Sequence, residues 1–269
     1  MKIQEALRII VPLEARILLS NASGLSQEYL IGHGEDELSD EIYRKFLALV
    51  ERRKALEPIA YIIGKKEFYG RDFKVTKDVL IPRPDSETLI NVVLDAAKDC
   101  TIRSILELGV GSGCLVLTLL LEIEKSKAMA VDVEQAVLEV ARENAIALGV
   151  QDRCEFVLSN WFEGVDGKYD IIISNPPYIE EYEKSIMAEE TLKYEPSLAL
   201  FGGLEPYRVI ASESHKFLTA NGRIYVEIGV SQESQIAEIF HTNGYKVVGK
   251  YRDIEQRMRI IVFTLARGE

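Results

Sequence analysis

The chain has 269 residues, 47% of them hydrophobic, a net charge of −11 and three cysteines. It is long enough for one large domain with a smaller one attached, and too acidic for broad binding to a phosphate backbone, which needs a basic footprint. Glu5, Arg8, Glu14 and Arg16 interrupt every apolar run near the start, so neither a signal peptide nor a membrane span is expected, and Cys100, Cys114 and Cys154 form no paired framework, which fits a reducing cytoplasm.

Residues 1–64 carry helical periodicity without strand signals: Ala6, Leu7 and Ile10, then Leu13, Ile17 and Leu18 before a stop at Asn21 to Gly24. A small helical bundle is expected. Its longest helix begins near Ser39 and buries Ile42, Phe46, Leu49 and Val50; Pro58 opens a short last one. Over residues 65–84 the pattern changes. Phe68, Tyr69, Phe73, Val75, Val79 and Leu80 surround Gly70-Arg71, which predicts a hairpin linking two domains. The stiff Ile81-Pro82-Arg83-Pro84 stretch follows, and Asp85 is placed to cap a helix with the inner stripe Leu89, Val92, Val93 and Ala96.

From residue 85 to 269 strands and helices alternate. Strands are expected at Ser104 to Leu108, Ala128 to Val133, Glu155 to Leu158, Tyr169 to Ser174 and Arg223 to Ile228. Helices are expected from about Ser112, up to Gly149, from Glu205 to Leu218 and from Gln232 to Phe240, with a turn at Asn221-Gly222. This is the βαβ pattern of a doubly wound, Rossmann-like α/β sheet. The last two strands, Tyr245 to Tyr251 and Met258 to Leu265, are too close in sequence for a crossover helix and should pair antiparallel.

Two loops carry chemistry. Glu107-Leu108-Gly109-Val110-Gly111-Ser112-Gly113 follows a strand and opens a helix, so glycine backbone can approach a ligand and helix N–H groups can face an anion. A dinucleotide fingerprint would place its third glycine where Cys114 stands, which tilts the choice of cofactor from NAD toward S-adenosylmethionine. Asp132, about 20 residues beyond, ends the next strand where a carboxylate can accept ribose hydroxyls, or can cap the following helix. Asn160-Trp161-Phe162 offers a polar contact and a stacking surface, although a lone Trp serves equally as core.

The second loop is Asn175-Pro176-Pro177-Tyr178, at the carboxyl end of the buried run Ile171-Ile172-Ile173. Two prolines cannot extend a ladder and leave the loop few conformations. Asn175 brings an amide carbonyl, Pro176 a backbone carbonyl without its own N–H, and Tyr178 an aromatic wall, a set suited to a planar NH2 group on an amide or an exocyclic amine. A plain strand-ending turn would use the same residue types.

With these loops in one register the chain resembles class I S-adenosylmethionine-dependent methyltransferases. Glu67-Phe68-Tyr69-Gly70, Val79-Leu80-Ile81-Pro82-Arg83-Pro84 and Tyr194-Glu195-Pro196 with Ala199-Leu200 bring it close to the peptide chain release factor N(5)-glutamine methyltransferases, the PrmC/HemK family. The resemblance implies a helical domain over 1–64 that engages the release factor, a hairpin linker over 65–84, and a catalytic domain over 85–269 whose sheet is parallel except at its end. It implies methyl transfer from S-adenosylmethionine to the glutamine of a Gly-Gly-Gln loop, in translation termination, with no metal. Gly109, Val110, Gly111, Ser112, Gly113, Asp132, Trp161 and Asn175 would bind the cofactor. Asn175, Pro176, Pro177 and Tyr178 would hold the glutamine amide, with Asn175, Pro176 and Tyr178 catalytic, and Arg83 and Glu195 would shape the pocket.

The chain departs from the family pattern at Asn160, usually acidic, at Val110, usually threonine, at Asp85-Ser86, usually a Glu-Thr pair, and at Leu204-Glu205-Pro206, usually a glycine-containing turn. Two alternatives stand beside this reading. One is an adenine-amine methyltransferase acting on nucleic acid, because the same tetrapeptide can hold an exocyclic amine. The other is a nucleotide-binding module without catalysis.

Overall fold

The computed structural model describes residues 1–266, so residues 267–269 of the expected catalytic segment lie outside it. The chain divides into two compact units. Met1–Lys65 and Ala188–Tyr194 make the first, and Lys66–Met187 with Glu195 onward make the second.

The first unit holds α1 (Ile3–Ala6), α2 (Pro12–Ser23), α3 (Gln27–Gly32), α4 (Asp40–Lys54) and α5 (Ile59–Ile63). Ser39 caps α4 by accepting from the Ile42 N–H at 3.3 Å, and Gly24 ends α2 in the left-handed conformation that a side chain would resist. Phe46 and Val50 of α4 are fully buried against Leu18, Leu19 and Leu30, while Ile42 and Leu49 pack at the margin. Each fully buried apolar side chain of this size contributes about 1.5–3 kcal/mol, enough to order helices too short to stand alone.

The second unit opens in a hairpin, β1 (Lys65–Phe68), whose first residue is counted with the first unit, and β2 (Arg71–Lys74). The turn is Tyr69-Gly70, one residue earlier than expected, and both residues have positive φ, as a two-residue hairpin turn requires. The strand pairing stops at Lys74, so Val75 to Leu80 run on as a loop. After a 3-10 turn at Pro84–Ser86 comes α6 (Glu87–Asp99). Asp85 does not cap α6; its Oδ2 accepts from Arg259 Nη2 at 3.2 Å, a buried cation having taken the place of the helix end.

A seven-stranded sheet forms the body: β3 (Ser104–Leu108), β4 (Lys127–Asp132), β5 (Cys154–Leu158), β6 (Tyr169–Ser174), β7 (Leu218–Glu227), β8 (Tyr245–Arg252) and β9 (Met258–Leu265). Their order is β5-β4-β3-β6-β7-β9-β8, parallel through β7, with β9 antiparallel to both β7 and β8. β7 starts at Leu218, five residues before the expected start, and runs through Asn221-Gly222 in place of a turn. Its helices are α7 (Cys114–Glu122), α8 (Gln135–Ala147), α10 (Glu205–Glu213) and α11 (Glu233–Thr242); α9 (Glu189–Tyr194) is counted with the first unit. There, Arg53 reaches both Glu14 (2.8 Å) and Glu190 (2.6 Å), and Lys193 Nζ and Tyr194 OH both donate to the Ala55 carbonyl. α7 is apolar all round, with Leu115, Val116, Leu117, Leu119 and Leu120 all buried, as for a helix covered on every side. No described helix is long and apolar enough to cross a membrane.

Candidate active site

The strand order reverses between β3 and β6, the kind of place where open α/β sheets take their ligands. The two are register partners, Leu108 facing Ser174, and Ser174 Oγ donates to the Leu108 carbonyl at 2.8 Å. Gly109 and Asn175, the next residues, therefore leave the sheet side by side. The two loops that sequence marks as chemical converge because their strands are neighbours.

The glycine loop is tied to β4. Gly109 N and Val110 N both donate to the Val131 carbonyl, at 2.9 and 3.0 Å. Glu107 Oε2, buried under the loop, accepts from Val116 N at 3.1 Å and so satisfies a free N–H in the first turn of α7, where Gly113 has no side chain to do so. Burial pushes its carboxyl well above the ordinary range, partly offset by that bond. The three glycines differ in role. Gly109 (φ 74°) and Gly111 (φ 54°) face open space, whereas a Cβ at Gly113 (φ 80°) would lie 2.9 Å from Leu117 Cδ1. Gly113 serves helix packing; the other two keep a surface clear.

Asp132 does two things. Its Oδ2 accepts from Gly111 N at 3.2 Å, and its Oδ1 accepts from Val133 N (2.9 Å) and Glu134 N (3.3 Å). It organises the loop at the strand end and not the first turn of α8, whose N-cap is Glu134. Desolvation raises its pKa, against these three bonds. Trp161 sits at φ 51°, a conformation that costs a bulky residue about 1–3 kcal/mol; Ser159 Oγ donates to its carbonyl at 2.9 Å and holds it there. Asn160 donates its NH2 to Glu163 Oε1 at 3.0 Å, which leaves its side-chain carbonyl oxygen as the acceptor end.

A cavity of about 290 Å³ joins these parts. Gly109, Gly111, Asp132, Asn160 and Trp161 line it, together with Asn175 and Pro177, Asp78 to Leu80, and Pro196 with Leu198 and Ala199. Val110, Ser112, Gly113, Pro176 and Tyr178 do not. Val110 is buried behind the loop, Ser112 has its carbonyl held by Asn144, and Pro176 is buried under the tetrapeptide. The Tyr178 ring packs on the main core with its hydroxyl 3.5 Å from Glu227 Oε1. S-adenosylmethionine fits what is here. A methyl group added at Gly109 or Gly111 would meet no atom within 4 Å and would take room at the cavity wall, while the lining supplies a carboxylate, a neutral acceptor and an indole face.

The tetrapeptide is braced from several sides. Ile179 bridges to Phe201 as a short parallel pair, its N–H donating to the Leu200 carbonyl at 3.0 Å and its carbonyl accepting from Gly202 N at 3.2 Å. A side chain at Gly202 would strike the Pro177 carbonyl at 2.4 Å, so only glycine lets the two segments approach. Gln232 Nε2 donates to the Tyr178 carbonyl at 2.8 Å, and Asn175 Nδ2 donates to Ser86 Oγ at 3.2 Å. Arg83 Nη2 meets Glu195 Oε1 at 2.6 Å, and the other carboxylate oxygen accepts from Ile81 N, so the Ile81-Pro82-Arg83-Pro84 stretch is clamped to the Glu195-Pro196 segment.

Three functional supports carry no local sequence signal. Asn144, 2% exposed in the middle of α8, joins the Lys74 backbone (2.7 and 3.0 Å) to the Ser112 carbonyl (2.8 Å), tying the hairpin to the glycine loop. Ser86 and Glu227 stand behind Asn175.

Residues 9–64 match the family model of the PrmC N-terminal domain and residues 84–203 that of the methyltransferase small domain. Among solved structures, a ribosomal protein L11 methylase from Lactobacillus delbrueckii subsp. bulgaricus (TM-score 0.52, 16% identity, 75% of this chain and 90% of that one) shares the fold. So does a methyltransferase from Pyrococcus furiosus (TM-score 0.52, 20% identity, 81% and 96%). A bifunctional methyltransferase of Rickettsia prowazekii is 44% identical over 93% of this chain but 52% of its own length, so the chain spans about half of that relative. The release factor glutamine methyltransferase of Cereibacter sphaeroides is 38% identical over 97% of this chain and 98% of its own, and that of Agrobacterium fabrum 35% identical over 93% and 89%. The hairpin, the glycine loop and the braced tetrapeptide thus sit in a chain that belongs to the release factor glutamine methyltransferase family.

Proposed function

We propose that this chain transfers a methyl group from S-adenosylmethionine to the side-chain amide nitrogen of the glutamine in the Gly-Gly-Gln loop of class I peptide chain release factors, in the cytoplasm. The observation that carries the reading is the single cavity walled on one side by Gly109, Gly111, Asp132, Asn160 and Trp161 and on another by Asn175 and Pro177. Cofactor-binding chemistry and amide-binding chemistry share one space. When bound, S-adenosylmethionine supplies an electrophilic methyl group.

The chain's own residues supply orientation. An amide nitrogen is a poor nucleophile because its lone pair is delocalised, so a site must favour the geometry that localises it. The Asn175 side-chain carbonyl, from the cavity lining, and the Pro176 backbone carbonyl, from a residue outside that lining, would each accept one N–H of the glutamine NH2, leaving the lone pair directed away from both. The bracing of this loop by Phe201, Gly202 and Gln232 means that little rearrangement is needed on binding. Asp132 would accept ribose hydroxyls, Trp161 would stack on the base, and the Asn160 carbonyl would accept from its amine. Tyr178 backs the loop through the core. Residues 1–64 would engage the release factor outside its reacting loop.

The test is single-turnover transfer of labelled methyl with purified release factor, tRNA and DNA offered separately, using wild type and Asn175→Ala. Only the release factor should become labelled, and Asn175→Ala should lower turnover by about 100- to 1000-fold, the scale for one oriented polar contact in a transition state. Labelled tRNA or DNA would favour an adenine-amine methyltransferase, and near-normal turnover by folded Asn175→Ala would refute the mechanism.

A further inference from the structure

Asn175 has two chemically opposite ends. For an NH2 substrate only the carbonyl end is useful, since an NH2 facing an NH2 offers two donors and no acceptor. What sets the orientation lies behind the side chain. Asn175 Nδ2 is 3.2 Å from Ser86 Oγ, and Ser86 Oγ is 2.5 Å from Glu227 Oε2. Ser86 is 3% exposed and Glu227 1%, so bulk water does not stand in for either partner.

A hydroxyl has a single proton to give. An ionised Glu227 can only accept, so the Ser86 proton points to it, and the remaining lone pairs of Ser86 can only accept from Asn175 Nδ2. The chain of bonds therefore has one direction, and its last member presents Oδ1 to the cavity. We infer that Ser86 and Glu227 are positioning residues that hold the Asn175 amide with its oxygen toward the substrate. This rests on the proposed amide-methylating role of Asn175. Neither residue lines the cavity, so neither is a catalytic residue in its own right.

The arrangement also has a reverse state. A protonated Glu227 could donate to Ser86, whose proton would then turn to Asn175 Oδ1 and bring the NH2 around to face the substrate. Burial pushes the Glu227 carboxyl up to about 7, while the Ser86 bond, Arg259 and Tyr178 pull it down and Asp85 pushes it up. Those groups surround it: Asp85 and Ser86 in the turn before α6, Tyr178 in the tetrapeptide, Arg259 on β9, Cys114 at the start of α7, and Tyr207 on α10, whose hydroxyl donates to the Glu227 backbone carbonyl at 2.8 Å. The carboxylate form, and with it the productive orientation, is present above about 7 and is lost as pH falls through that value.

The experiment measures single-turnover methyl transfer to intact release factor by the full chain at pH 6 to 9, with melting and calorimetric cofactor titration alongside. Ser86→Ala should lower turnover about 10- to 100-fold, the scale for an outer partner that orients a functional group, with cofactor affinity unchanged. Ser86→Thr, which keeps the hydroxyl, should recover at least tenfold over Ser86→Ala. On an Asn175→Ala background Ser86→Ala should cost nothing more, because the two act through one group. Glu227→Gln, neutral at every pH, should lose the wild-type fall in rate below about pH 7 and serves if Ser86→Ala fails to fold. Full turnover by folded Ser86→Ala, or an undiminished further loss on the Asn175→Ala background, overturns the inference. If Asn175→Ala alone keeps normal turnover, it is the amide-binding role that fails.

Discussion

The glycine loop gives the sharpest contrast between binding and folding, through one added methyl group at two positions two residues apart. At Gly113 an alanine must hold φ near 80°, which costs an L-residue about 1–2 kcal/mol, and its Cβ would press on Leu117 at 2.9 and 3.2 Å and meet Ala141 Cβ at 3.5 Å. Leu117 is fully buried and has nowhere to swing, so overpacking adds about 1–3 kcal/mol. Gly113→Ala should therefore lose about 2–5 kcal/mol of stability. At Gly111 the same strain applies at φ 54°, but the Cβ meets nothing within 4 Å and enters the cavity wall. Gly111→Ala should lose only the strain, about 1–2 kcal/mol, while cofactor affinity falls by about 5- to 150-fold, the equivalent of 1–3 kcal/mol of steric conflict with a ligand. Chemical denaturation followed by circular dichroism and calorimetric titration with S-adenosylmethionine separate the two. A folded Gly111→Ala protein that binds as tightly as wild type would refute the assignment of this cavity to the cofactor.

Asp132→Ala should weaken cofactor binding by about 1.5–3 kcal/mol for each ribose hydroxyl bond lost; because desolvation raises this carboxyl, wild-type affinity should also begin to fall at a higher pH than for an ordinary aspartate as acid is added, and Asp132→Asn should abolish that dependence, both by titration calorimetry. Asn144→Ala removes three hydrogen bonds worth about 0.5–1.5 kcal/mol each and should lower the stability of the second unit accordingly; Asn144→Asp should do no better, since a carboxylate cannot donate to the Ser112 and Lys74 carbonyls, and a denaturation midpoint equal to wild type would count against the tie between hairpin and glycine loop. Removing residues 1–64 should spare cofactor affinity and abolish labelling of intact release factor; full activity of the shortened chain would place recognition in the catalytic domain alone.

Much of the fold was legible because burial on both faces writes itself along the chain. Ile171-Ile172-Ile173 reads as an inner strand, and Ser104–Leu108 and Tyr169–Ser174 fall where their apolar runs place them. Elements were misplaced where a local signal met a distant constraint. Asn221-Gly222 reads as a turn, yet β7 runs through it. A Cβ at Gly222 would lie 2.8 Å from Leu218 Cδ2 and 3.0 Å from the Tyr169 carbonyl, so the glycine is there for close approach in the sheet, beside a register shift on β6. Asp85 reads as a helix cap, but Arg259, 174 residues away, claims its carboxylate. No periodicity could tell that α9 belongs with the first unit, since its ties to Arg53 and Ala55 span more than a hundred residues.

The candidate site divides along the same line. The glycine loop and the Asn-Pro-Pro-Tyr loop are legible because each is a run of consecutive residues, and their convergence follows from strand order alone. What orients them is not consecutive. Ser86 meets Glu227 across 141 positions, Asn144 meets Lys74 across 70, and Glu195 meets Arg83 across 112. Each of these supports is a polar or charged side chain of a type that the solvent-facing positions of the chain also carry, so its partner is not written beside it in the sequence. Its role exists only once burial removes water as the alternative partner. A reading from motifs can therefore find the loops proposed to hold a ligand, but the direction proposed for Asn175 rests on partners that only the folded chain brings to it.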